Sequence, residues 1–204
     1  LPEKTAKTPY DKKVKNKEQE DGGIAMENLN EEMLQALTEK MSSLYVSYRK
    51  RFVLSIPGAS MFTPKRKNGE FTALTDHMLT NHLRHKYAVA IYSGESASKF
   101  LCFDVDDGSA DTVHTIIDRL VAFGIPQDKI YVSFSGGKGY HVELFFDRLV
   151  YTSQLYALYG MVIGQANLNP RKVEFRPTYG NAIKLPLSIH GKTGNVCWFV
   201  EPET

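Results

Sequence analysis

The sequence predicts an α+β domain preceded by a charged tail. Three observations carry this prediction. Apolar residues recur at helical spacing over 27–50, 109–123 and 152–165. Between these stretches lie short runs rich in β-branched and aromatic residues, at 87–92, 99–107, 130–134 and 140–146. The resulting order is strand, helix, hairpin, helix, strands, a succession that does not alternate strictly.

In chain order, residues 1–23 are rich in Lys and Glu, nearly lack apolar side chains and end in Gly22-Gly23. They read as a flexible tail or linker. Residues 24–204 read as one domain, with a helical N-terminal part at 24–86 and a core at 87–204. In the first helix, Leu29, Met33, Leu34, Leu37, Met41, Leu44 and Tyr45 form the apolar stripe, and Asn28 or Asn30 is the expected N-cap. Two basic clusters follow. Arg49, Lys50 and Arg51 are the first, and Lys65, Arg66 and Lys67 lie in a loop bounded by Pro and Gly. Both read as solvated faces and as candidates for phosphate contacts. Residues 75–86 read as a helix. In 109–123 the inward residues are Val113, Ile116, Ile117 and Leu120, and Gly124 and Pro126 stop the helix. In 152–165 they are Leu155, Leu158, Tyr159, Val162 and Ile163. A last strand is expected at 195–200, with Trp198 in the core.

Composition limits the function. The chain has 204 residues, with 25 Lys and Arg against 23 Asp and Glu. It is no bulk basic coat, so any polynucleotide contact must come from local patches. Cys102 and Cys197 are far apart, and no spacing supplies a four-ligand zinc site. No zinc is expected. No stretch is apolar for long enough to span a bilayer, and no signal peptide is visible. The chain reads as cytoplasmic and as a piece of something larger.

Three constellations carry chemistry. In the strand 99–107, Leu101, Phe103 and Val105 face one side, and Cys102, Asp104 and Asp106 face the other. Side-by-side carboxylates repel, and a divalent cation between them relieves the repulsion. Magnesium takes oxygen ligands and is commonly held by one or two carboxylates with substrate phosphates. The alternative for Asp104 and Asp106 is a strand running into an acidic turn that caps the next helix.

The second constellation is the hairpin turn Ser135-Gly136-Gly137-Lys138-Gly139-Tyr140-His141. Its glycines allow close backbone approach to an anion and let successive N–H groups share a concavity. Lys138 adds a point charge, Ser135 a hydroxyl and His141 an imidazole. A strand follows the glycines and no Ser or Thr follows the lysine, so this is no Walker A loop. An ordinary Gly-rich turn with a solvated lysine is the alternative.

In the third, Glu174 lies in the short strand around Val173 and Phe175, with Arg176 two residues on. Lys184 sits in the apolar run that ends at Pro186. Glu143 follows His141 by two residues and shares its face. Either glutamate could be a third metal ligand by spacing. Glu174 is favoured because Lys172 and Arg176 share its face, which leaves Glu143 to orient the His141 ring.

Taken in order, the Asp-x-Asp strand, the Ser-Gly-Gly-x-Gly-x-His hairpin and the later acidic strand resemble the archaeo-eukaryotic primase superfamily. The stretch Gly180-Asn181-Ala182-Ile183-Lys184-Leu185-Pro186 is most similar to primase-polymerases of bacterial mobile elements and conflict systems. The likeness spans roughly residues 85–200. It implies an RRM-like antiparallel sheet with helices, beside a small N-terminal α/β module, the two flanking a cleft. It also implies template-directed nucleotidyl transfer that makes or extends DNA or RNA primers in replication. Asp104, Asp106 and Glu174 would hold two Mg²⁺ or Mn²⁺ ions. Ser135, Gly136, Gly137, Lys138, Gly139, His141, Arg176 and Lys184 would bind the nucleotide. The implied partners are single-stranded DNA template, NTP or dNTP, and a helicase or other domain of a longer protein. An end-joining polymerase of the same fold, a metal-dependent nuclease and a non-catalytic RRM-like binding module remain as alternatives.

Overall fold

The computed structural model describes residues 29–201. The 1–23 tail, Asn28 as a cap, and the first residues of the 27–50 helix lie outside these. Helix α1 (Glu31–Tyr45) begins where the Asn30 side chain accepts from the Met33 N–H at 2.8 Å. It buries Leu34, Thr38, Met41 and Tyr45. Strand β1 (Phe52–Ser55) follows, then α2 (Asp76–Leu83), capped by Thr75. Helix α2 ends short of the expected 86 because His85 turns left-handed, with φ at 56°. Next come β2 (Ala88–Ile91), β3 (Ala97–Val105) and α3 (Ala110–Ala122). Strands β4 (Tyr131–Phe134) and β5 (Tyr140–Tyr151) form the hairpin. Helix α4 (Thr152–Gln165), β6 (Val173–Arg176), β7 (Ile183–Lys184) and β8 (Phe199–Val200) complete the chain.

Two antiparallel sheets result. The larger has the order β6-β3-β5-β4-β8 and the smaller β1-β2-β7. In the larger sheet, β3-α3-β4 and β5-α4-β6 are two split β-α-β units, each with a strand of the other inserted. This is the RRM-like arrangement. The smaller sheet takes β1 and β2 from the N-terminal region and β7 from far down the chain.

The alternation in β3 separates two cores. Leu101, Phe103 and Val105 join α3 and α4 in one, through Ile116, Leu120, Leu155 and Val162. The Tyr159 hydroxyl ties α4 to β6 by donating to the Val173 carbonyl at 2.6 Å. Phe100 and Cys102 face the other core, with Tyr45, Phe52, Leu79 and Ile91. That second core covers only part of its sheet face. Along β3 the side chains change from buried Phe100 and Cys102 to half-buried Asp104 and exposed Asp106.

The last strand is shorter than the expected 195–200. Only Phe199 and Val200 pair with β4. Cys197 instead exchanges backbone hydrogen bonds with Leu187 and Ser188, and Val196 bridges Ile189. The segment is divided between two partners, so one continuous ladder cannot form. Among the described residues, no helix is long and apolar enough to cross a membrane.

Candidate active site

The register of the larger sheet assembles the site. Asp104 pairs with Glu174 on β6 and with His141 on β5, so residues some 70 and 37 positions away become its lateral neighbours. Asp106 lies just past the end of β3, where its N–H donates to the Lys172 carbonyl at 2.8 Å. Carboxylate oxygens of Asp104, Asp106 and Glu174 lie within 4.8 Å of one another. The set offers only hard oxygen donors, which suits a divalent cation that favours oxygen.

Electrostatics support that fit. Burial pushes the Asp104 carboxyl up to about 6, and the neighbouring charge of Asp106 adds to the rise. The Arg176 guanidinium opposes it. Its Nε lies 3.5 Å from Asp104 Oδ2, and its terminal nitrogen is hydrogen-bonded to Glu174. Arg176 thus supplies positive charge to the same two carboxylates that a cation would take. Beside Glu174 and Arg176 opens a cleft of about 300 Å³, lined also by Asn181, Tyr156 and Pro170.

The hairpin packs against the end of β3. A Cβ on Gly139 would meet the Val105 carbonyl at 2.5 Å, and one on Gly136 would meet His190 Cβ at 2.7 Å and Cys197 Sγ at 2.8 Å. Two of the glycines are therefore required by close packing of the protein on itself. The Ser135 hydroxyl accepts from the Gly137 and Gly139 N–H groups, at 3.4 and 3.2 Å. The turn's donors do converge, and in this structure they converge on Ser135. Lys138 is exposed and makes no ion pair among the described residues. Lys184 reaches over from the smaller sheet, bonding the Ser135 carbonyl and Cys197 Sγ.

His141 differs from the expectation of a ring facing the hairpin's concavity. It is 4% exposed, and burial holds its pKa down at about 3, so the ring is neutral. Its Nε2 lies 3.6 Å from Asp104 Oδ1. The expected orientation of His141 by Glu143 is also corrected. Glu143 Oε2 accepts from the Tyr45 hydroxyl at 2.9 Å, while Glu143 Oε1 and His141 Nδ1 have no hydrogen-bond partner among the described residues. Tyr45 wins because α1 lies over this part of the sheet and presents its hydroxyl directly to the carboxylate. Burial pushes Glu143 up to about 8.

Sequence reasoning missed several neighbours of the site. Cys102, His141 and Glu143 form a second close group, all buried, that strand pairing alone creates. The His190 ring stands 3.6 Å from where a Gly137 Cβ would lie, and Thr193 and Asn195 both donate to the Gly136 carbonyl. The only local signal was the density of His, Lys, Thr and Asn in 190–195.

No curated protein matches the chain. Among solved structures, the chain is similar to the AEP domain of the cyanophage S-2L primase-polymerase. That similarity has a TM-score of 0.49 and 17% identity, over 76% of this chain and 82% of that one. Residues 38–204 match the family model of the archaeo-eukaryotic primase domain of TOTE conflict systems. The chain therefore belongs to this archaeo-eukaryotic primase family, and with it to the primase-polymerase type of nucleotidyltransferase.

Proposed function

We propose that the chain is a template-directed nucleotidyltransferase that makes or extends DNA or RNA primers on single-stranded DNA, taking NTPs or dNTPs. The observation that carries this reading is the convergence of Asp104, Asp106 and Glu174 at the uncovered end of the sheet, beside a glycine-lysine hairpin. A nuclease would use the same carboxylates but has no need of the hairpin.

Asp104, Asp106 and Glu174 would hold two Mg²⁺ or Mn²⁺ ions, whose chemistry there is to lower the pKa of a 3′-hydroxyl and offset charge on departing pyrophosphate. The remaining work belongs to the chain. Lys138, exposed at the hairpin tip, binds the triphosphate as a point charge. Ser135, Gly136, Gly137 and Gly139 shape the turn that receives it, and the Ser135 hydroxyl can release its two glycine N–H groups to phosphate oxygens. Lys184 holds the turn by its Ser135 carbonyl. Arg176, beside Asp104 and Glu174, supplies positive charge for a substrate phosphate at the carboxylates. Neutral His141 packs beside Asp104 and fixes that carboxylate. Positioning and preorganised charge supply most of the rate.

The test is incorporation of labelled NTPs and dNTPs on a single-stranded template, with and without primer, in Mg²⁺ or Mn²⁺, with pyrophosphate measured in parallel. Extension with stoichiometric pyrophosphate is expected. Strand cleavage without pyrophosphate would make the chain a nuclease, and no reaction with any nucleotide would defeat the proposal.

A further inference from the structure

The edge of the smaller sheet carries a feature that the carboxylate site does not use. After β1 the chain folds back as an arm. Leu54 and Phe62 exchange backbone hydrogen bonds of 2.9 and 3.1 Å, and Lys65 bridges Phe71 further out. The arm turns through Gly69, at φ 87°, with open space around it. At its base, Arg51 lies under three rings. Its guanidinium carbon is 3.9 Å from the centroid of Tyr92, 5.1 Å from that of Tyr179 and 5.6 Å from that of Phe71. The Lys65 ammonium lies 5.3 Å from the Phe71 centroid.

Two of these rings are open to solvent. Phe71 and Tyr179 are each 43% exposed. Arg51 fixes Tyr179 twice, by the ring contact and by a hydrogen bond to its carbonyl. Rings held by a cation and open to solvent are preorganised surfaces on which a planar group can stack. The positive charge here is local, because the whole chain carries a net charge of only +2. The patch is also joined to the carboxylates. Tyr179 sits in the turn between β6 and β7, three residues after Arg176 and five before Lys184.

We infer that Phe71 and Tyr179 form a stacking platform for the bases of an unpaired nucleic-acid strand, with Lys65 and Lys67 on its phosphates. Every base has a π-face, so stacking tolerates any sequence, as a template site must. Naming the strand as template rests on the nucleotidyltransferase reading; the platform itself does not.

The test is anisotropy with the full chain, in EDTA and without nucleotide, using labelled oligothymidylate and an abasic oligomer of equal length. The native chain should bind the thymidylate about tenfold more tightly for each stacked base. Phe71→Leu and Tyr179→Leu should each reduce that preference about tenfold and leave abasic binding unchanged. Lys65→Ala with Lys67→Ala should weaken both oligomers equally and flatten the salt dependence. Should a leucine variant fail to fold, Phe71→Trp and Tyr179→Trp keep a ring and must keep the preference. Equal native affinity for the two oligomers, or a preference that survives both leucine changes, overturns the platform. Incorporation is scored separately. Base preference without incorporation defeats the proposed function and leaves the platform, and incorporation without base preference does the reverse.

Discussion

Two groups of ionisable side chains share one face of the larger sheet, only a strand's width apart. Cys102, His141 and Glu143 are buried, with Tyr45 of α1 over Cys102 and Glu143, and Asp104, Asp106 and Glu174 stand toward the more open end of the face. They touch through His141 and Asp104, 3.6 Å apart. Both have donors close enough to bind an ion, so proximity does not distinguish them. Cover does. Under α1, burial drives every group toward its neutral form: Glu143 up to about 8, His141 down to about 3, and Cys102 up. The open group keeps solvent access at Asp106 and has the Arg176 guanidinium beside its carboxylates. The same strand thus carries a buried polar cluster at one end and, in the proposed reading, the reactive carboxylates at the other.

Breaking the open group should have the largest effect. Asp106→Asn removes an exposed carboxylate with no core contacts, and incorporation should fall at least about a hundredfold while the melting temperature holds. A primer-extension time course checks this, and near-native extension would remove Asp106 from the site. The opposite face of β3 should respond in the opposite way. Phe103→Ala empties a fully buried position against Tyr159 and should cost about 3–5 kcal/mol of stability by urea unfolding. A loss below about 1 kcal/mol would show that this face is not the main core.

Glu143→Gln probes the covered group through pH. The folded state raises Glu143 from 4.5 to about 8, so it retains a proton that the unfolded chain has lost, and stability falls as pH rises across that interval. His141 and His82 are lowered from 6.5, to about 3 and about 4, so they add stability as pH rises toward 6.5. Asp104, raised from 3.8 to about 6, acts like Glu143 but has finished titrating by then. Between 6.5 and 8, Glu143 remains. There the native melting temperature should fall faster than that of Glu143→Gln, by about 3 °C per pH unit. Parallel thermal curves across that window would mean that Glu143 is ionised throughout.

The smallest effect concerns Asp104 itself. Above pH 6 and without cations, Asp104→Asn relieves repulsion with Asp106 and Glu174 but gives up the Arg176 contact. A net rise of about 1–2 °C in melting temperature is expected. A clear fall would mean that the Arg176 pair outweighs the repulsion.

Local pattern made much of this legible. The stripe from Leu155 to Ile163 locates α4, and the period of two in β3 is enough to separate Phe103 from Asp104. The hairpin and its glycines could be read the same way. Long-range pairing could not. Nothing local sets Glu174 opposite Asp104, lays Tyr45 over Glu143, or sends β7 into the other sheet with Lys184 pointing back to the hairpin. The misreading of Glu143 arose there. Same-face spacing correctly put it beside His141, but the hydrogen bond went to a helix about 98 residues earlier.

The division between the two groups is tested most directly by titrating Mn²⁺ into primer-extension reactions of Glu174→Ala and Glu143→Gln. Glu174→Ala should stay inactive at every Mn²⁺ concentration. Glu143→Gln should extend primers with a native Mn²⁺ dependence and at most a several-fold loss of rate. An inactive Glu143→Gln beside a Glu174→Ala that retains most of its activity would place the third carboxylate under α1 and contradict the account.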